Sequence, residues 1–264
     1  MKKCLFAIVL LYTGQYAYAD ATFKFNSLIP KNNQQSLAYY IKGKQLKYTD
    51  SSSTNNLIYN QKLQQLTTID SQSGAISTIN EKRLKQQVAQ LNQQRLARLR
   101  GVEEKINEEL ANKTSLEKQT GATLIAQLKY PEQYGEHTLL TIKPLDKTKT
   151  VNNIECQSYQ LFKKARLLKE FCLASREAIG INKLEYTTLR GFYTFGYNMQ
   201  SKIMIAMGNT RFEIVDYDQH KMPGVVIETI SYIDNKIAHH QVLASVNKSP
   251  LSSSIFELET ANKK

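Results

Sequence analysis

The chain has 264 residues, a net charge of +12, three cysteines and no tryptophan. That length allows one large domain or two small ones, with enough chain to build a proper core. The charge favours anionic partners such as phospholipid headgroups, lipopolysaccharide or cell-wall polymers, or serves solubility alone; with no nucleic-acid module in the sequence, it does not point to nucleic acid.

Residues 1–19 read as a secretory signal. Lys2 and Lys3 form a positive start, Leu5 to Tyr12 an apolar core, and Ala17-Tyr18-Ala19 a small-x-small cleavage pattern before Asp20. The apolar core is too short for a permanent membrane helix, which takes about 20 residues. Cys4 precedes that core, so it is not placed for lipidation and leaves with the signal, as do two of the twelve net charges. The expected product is an exported periplasmic protein running from 20 to 264 as a single domain, not an integral membrane protein. Further secretion stays open.

Residues 21–80 carry short β-rich pieces at 39–48, 56–60, 64–70 and 75–79, separated by turn residues such as Gly43 and Gly74. An antiparallel meander is expected. From 81 to 118 there is no proline, and Leu84, Val88, Leu91, Leu99, Val102, Ile106 and Leu110 recur at helical steps. This predicts one long helix, continuous or kinked at Gly101. Its charges are segregated, with Lys82, Arg83, Lys85, Arg95, Arg98 and Arg100 first, then Glu103, Glu104, Glu108 and Glu109. That order opposes the helix dipole. Either the charges form a plain solvated face, or an antiparallel partner matches them.

Pro131 and Pro144 are expected to bracket a strand at 137–143. A hairpin follows, with arms 154–162 and 167–174. If it turns about Lys164, Cys156 faces Cys172, Ser158 faces Glu170 and Gln160 faces Leu168. Opposed residues have Cβ atoms about 4.5–5.5 Å apart, close to the ~3.8 Å that a disulfide needs. A Cys156–Cys172 disulfide in an oxidising compartment is therefore expected, stabilising by about 3 kcal/mol. A second helix fits 182–207, with Leu184, Thr188, Phe192, Phe195, Met199, Ile203 and Ala206 on one face and Tyr186, Tyr193 and Tyr197 widening it. Such a face is either plain core or the floor of a lipophilic cavity. Strands at 211–217, 225–233 and 236–247 follow, the last two joined by an Asp234-Asn235 turn. Ile255 and Phe256 close the chain as a docking segment.

No HExxH, GxSxG, P-loop, GxGxxG or CxxC occurs. His239 and His240 point to opposite faces of a strand and cannot share an ion. Asp216, Asp218 and His220 put three ligand types on one side of an extended stretch, but lack a fourth ligand. The sequence thus points to no enzyme, no cofactor and no metal.

The order of parts resembles a group of exported bacterial domains of unknown function, similar in fold to the periplasmic lipoprotein-localisation carriers. The resemblance runs through IKGKQLKY and NLIYNQKLQQLTTID, then NIECQSYQLF with KEFCLA, then MPGVVIETISYIDNKIAHHQVLASVNK and SSSIFEL. Lys42-Gly43-Lys44, Cys156 with Cys172, Pro223-Gly224 and Phe256 occupy the matching places. Two departures stand out: no proline and tyrosine follow Phe256, and the 81–118 helix is longer and more charged than such folds need. The resemblance implies an α+β fold in which a curved, unclosed antiparallel sheet (a half-barrel) wraps over helices, its concave side able to hold an acyl chain. The function expected is non-catalytic binding of a lipid or other hydrophobic ligand by Phe192, Phe195, Met199 and Ile203. The alternative is a protein-interaction or envelope-scaffolding module, acting through helix 81–118 with Arg95, Arg98 and Arg100 as its contact surface.

Overall fold

The computed structural model describes residues 20–28, 36–134, 140–208, 215–216 and 222–257. The signal segment, Asp218, His220 and most of the 211–217 segment lie outside them; Val215 and Asp216 are not in a strand. Eleven antiparallel strands form one open sheet in the order β6-β5-β4-β3-β2-β1-β11-β10-β9-β8-β7. The meander is β1 (Asp20–Ser27), β2 (Ser36–Lys42), β3 (Gln45–Asp50), β4 (Asn55–Asn60), β5 (Gln65–Asp70) and β6 (Ile76–Asn80). The second half is β7 (Leu140–Val151), β8 (Ile154–Lys163), β9 (Arg166–Ala174), β10 (Val225–Ile233) and β11 (Lys236–Asn247). The fold is α+β, with a curved sheet not closed into a barrel. No helix among the described residues is long and apolar enough to cross a membrane.

Asp234 and Asn235 both have positive φ, as a two-residue hairpin turn of this hand requires. Pro144 does not end its strand. It lies inside β7, an edge strand, where a sheet tolerates proline, and the register slips between Pro144 and Thr148. Pro131 instead opens the short helix α3 (Pro131–Tyr134). The closing segment docks as expected. Ser253–Phe256 is a 3₁₀ turn whose Phe256 is buried against Ile58 and Ile69.

The predicted 81–118 helix is two helices. α1 (Glu81–Leu110) passes through Gly101 without a break, and α2 (Ser115–Lys129) starts after a four-residue turn. No proline or glycine marks that turn. Its signal is the capping box of Thr114 and Glu117, which satisfies N–H groups at the start of α2. α2 runs back along α1: Leu110 meets Gly121 near the turn, and Lys129 pairs with Glu103 at 2.6 Å further along. α2 is thus an antiparallel partner for the acidic half of α1, within the chain.

α4 (Arg176–Ile179) and α5 (Lys183–Ala206) link β9 to β10. α5 matches its predicted bounds, because Asn182 and Glu185 form a capping box. It lies on the sheet face bearing Phe25, Leu37, Tyr39 and Tyr48. At its far end Arg95 locks three helices together. Its guanidinium donates to the Ala206 carbonyl of α5 at 3.1 Å, to the Leu128 and Lys129 carbonyls of α2, and to Asn92 of its own helix. A cation at two helix C-termini meets their unpaired carbonyls and their negative dipole ends together. Arg95→Ala is expected to lower unfolding free energy by about 2–3 kcal/mol, read from urea denaturation. Arg95→Lys should recover less than half, because an ammonium cannot fork to several carbonyls.

The disulfide is present, but its register is not the one expected. The sulfurs of Cys156 and Cys172 are bonded, with Cα atoms 5.4 Å apart. Yet Cys172 pairs with Ser158, and Gln160 pairs with Glu170. A bulge at Leu168, between the Leu161–Lys169 and Phe162–Leu167 pairs, shifts the arms relative to each other. The disulfide is therefore diagonal. β8 stops pairing with β9 at Gln157, while β7 and β8 stay paired to their turn. That free tip folds back over the sheet face opposite α5, where Lys149 pairs with Glu228 of β10 and Asn152 donates to the Leu243 carbonyl of β11. His240 also contacts Glu228, at 3.0 Å.

Candidate functional site

The first turns of α5 are fastened to one end of the sheet. Glu185 is 1% exposed; its carboxylate accepts from the Asn182 N–H and from Lys248 beyond β11, both at 2.7 Å. Thr188 donates to the Gly43 carbonyl at 3.0 Å, and Gln61 donates to the Thr187 carbonyl at 3.1 Å. The Gly224 N–H donates to the Tyr186 hydroxyl at 3.2 Å. Gly224 has φ +108, and a Cβ there would lie 2.5 Å from the Ala174 carbonyl oxygen. Only glycine fits this close approach.

Between these anchors, α4 and the ends of β8 and β9 lies an open cleft of about 800 Å³. Tyr159, Leu173, Tyr186 and Pro223 supply apolar wall, and Cys156 of the disulfide is part of the lining. Arg176, Glu177, Glu155 and Lys183 supply charge. Arg176 is engaged by Glu177 at 2.8 Å and 2.5 Å. Lys183 makes no ion pair with any described residue. The cleft has the size and mixed lining of small-molecule sites. Among the described residues no group of three metal-ligating side chains gathers there or elsewhere.

The four residues expected to bind ligand do not line this cleft. Phe192 sits among Tyr39, Tyr48 and Tyr59, with ring centroids 6.1, 6.3 and 6.0 Å away. Phe195, 8% exposed, packs on Tyr59 at 5.6 Å. Met199 packs against the same cluster, and Ile203 is half-buried one turn on. Gly191 lets helix and sheet approach, since a Cβ there would be 3.0 Å from the Tyr59 hydroxyl. Burial pushes the phenol of Tyr193 up to about 12; burial and nearby Asp50 do the same for Tyr48. Beside this cluster lies a space of about 100 Å³, bounded by Phe25, Leu37 and Tyr193. The aromatic face of α5 is therefore filled by the sheet in this conformation, and the cleft lies toward its N-terminus. Tyr186 is the one cleft residue that the aromatic pattern of the helix picks out. The others come from separate segments whose meeting leaves no mark in the sequence.

Arg95, Arg98 and Arg100 do not form one surface. Arg95 is spent on helix carbonyls, Arg98 lines a groove between helices, and Arg100 is exposed. Positions two apart on a helix are about 200° around its axis, so Arg98 and Arg100 face nearly opposite ways.

No family model matches the chain, and no curated protein matches it. A solved structure of PNGF-II is similar over 90% of this chain and 30% of that one, at 8% identity and a TM-score of 0.39. The chain thus spans under a third of that protein, and a likeness at this level carries no argument about function.

Proposed function

We propose that the protein is a non-catalytic periplasmic carrier of a lipid or other hydrophobic ligand, of the kind its motif order resembles. The observation behind this reading is the cleft of about 800 Å³ between the sheet and the start of α5. Its apolar wall takes the hydrophobic part of the ligand, at about 25 cal/mol per Å² before the costs of association. Lys183 stands by for an anionic headgroup. The disulfide supports export to an oxidising compartment.

Native mass spectrometry of protein purified from an oxidising periplasm without detergent tests the reading. A reproducible adduct of lipid mass, released on gentle activation, is the expected result; a bare mass with the disulfide intact counts against it. Ala178, exposed at the cleft wall, places the ligand. Ala178→Trp should obstruct the cleft from its wall and diminish the adduct with little change in stability. An adduct retained by the folded variant would move the ligand elsewhere.

A further inference from the structure

A second cavity lies among the helices, away from the cleft. We infer that the groove where the middle of α1 meets the C-terminal ends of α2 and α5 is a binding site for a single-chain anionic amphiphile. Its volume is about 450 Å³, within the range of small-ligand sites. Leu91, Leu99, Val102, Leu128 and Met207 line it. Val102 is 44% and Met207 59% exposed, so apolar surface faces water on helices whose other outer positions are mainly polar.

The charge of the groove selects the ligand. Among the described residues no carboxylate belongs to its lining, and its two charged residues are arginines. Arg95 is occupied by the helix-end carbonyls and builds the floor. Gly208, with φ +74, leaves room for it, since a Cβ there would lie 3.1 Å from the Arg95 Cδ. Arg98 makes no hydrogen bond or ion pair with any described residue, and its guanidinium is free to fork onto a carboxylate or phosphate. An apolar tail would lie along Leu91, Leu99 and Val102 with its head on Arg98. A cationic amphiphile would meet two arginines and no counter-charge among the described residues. This inference stands apart from the cleft, whose lining shares no residue with the groove.

Titration of the full chain with dodecanoate, followed by calorimetry, tests it, with dodecyltrimethylammonium as the cationic control. Dodecanoate should bind and the control should not. Val102→Trp should abolish this binding event, Arg98→Gln should weaken it about tenfold, and Ala178→Trp should leave it in place. Dodecanoate carrying a photoreactive tail should label α1 and α2, a readout independent of variant folding. No binding by the natural chain, binding unchanged in Arg98→Gln, or label confined to the cleft would each overturn the site. Loss of all binding in Ala178→Trp alone would assign the ligand to the cleft and remove the groove, whereas loss in Val102→Trp alone would leave the carrier reading without its cleft ligand.

Discussion

Phe195→Ala is expected to lower unfolding free energy by about 3–5 kcal/mol, as large-to-small changes of a buried aromatic ring do. Phe195 faces the sheet from the middle of α5, against Tyr59, which is fully buried. Its loss opens a void between two elements that Gly191 brings into close contact, so the neighbours have little room to close it. Denaturant unfolding followed by circular dichroism reads the effect. A loss under about 1 kcal/mol would mean that α5 sits loosely on the sheet and leaves space for a ligand there. The expected size also decides how binding should be probed. Phe195→Asp would bury an unpaired carboxylate in the same place, and a loss of ligand in that variant would report unfolding. Substitutions at the rim, such as Ala178→Trp, separate the two.

Removing the disulfide by Cys156→Ala with Cys172→Ala should cost about 3 kcal/mol. The bond holds the β7–β8 tip down where the ladder to β9 has already ended, so its loss releases more than one cross-link. The Lys149–Glu228 pair and the Asn152 bond to β11 depend on the tip staying folded back. Glu228, 9% exposed, would lose its lysine partner and keep the contact with His240. Thr148, Glu155, Cys156 and Gln157 also line the cleft, so ligand binding there should weaken with stability. Thermal melts of natural and double-variant protein, each with and without reductant, read the first effect. Equal melting temperatures would mean that the ion pair and backbone contact hold the tip alone.

What the sequence revealed and what it hid divide by the range of the cause. α5 could be bounded within a residue because its stripe of apolar side chains and its Asn182 start are local. β10, β11 and their turn were legible for the same reason: β-branched arms flank Asp234-Asn235. The end of α1 was not, since residues 111–114 carry no helix breaker and only Thr114 and Glu117 mark a new start. The cysteine pair predicted the bond but not its diagonal geometry, because the bulge at Leu168 answers to the β9 ladder as a whole. The role of Arg95 was hidden too. Nothing near it in sequence shows that α5 ends at Ala206 and α2 at Lys129 beside it. Nor could periodicity say whether the aromatic face of α5 encloses space or fills it. That depends on Tyr39, Tyr48 and Tyr59, which reach it from three strands of the meander.

The strand order has a consequence for how the molecule comes to be made. β1 to β6 pair only with sequence neighbours except at one seam, where β1 meets β11; across that seam Asp20 binds Leu251, 231 residues away. The meander, β7 to β9, and the β10–β11 pair can each zip up from local hairpins, which form fast. By contrast, β9 and β10 must meet across α4 and α5, and the seam must wait for distant ends. Synthesis delivers the N-terminal half first, so the β1 edge, with Phe23 and Phe25 beside it, stays unpaired until nearly the whole chain is made. An open edge of that kind recruits other strands. The vulnerable species for this protein is therefore the chain whose β11 has not yet arrived, and a helper that shields β1 until then should raise its yield.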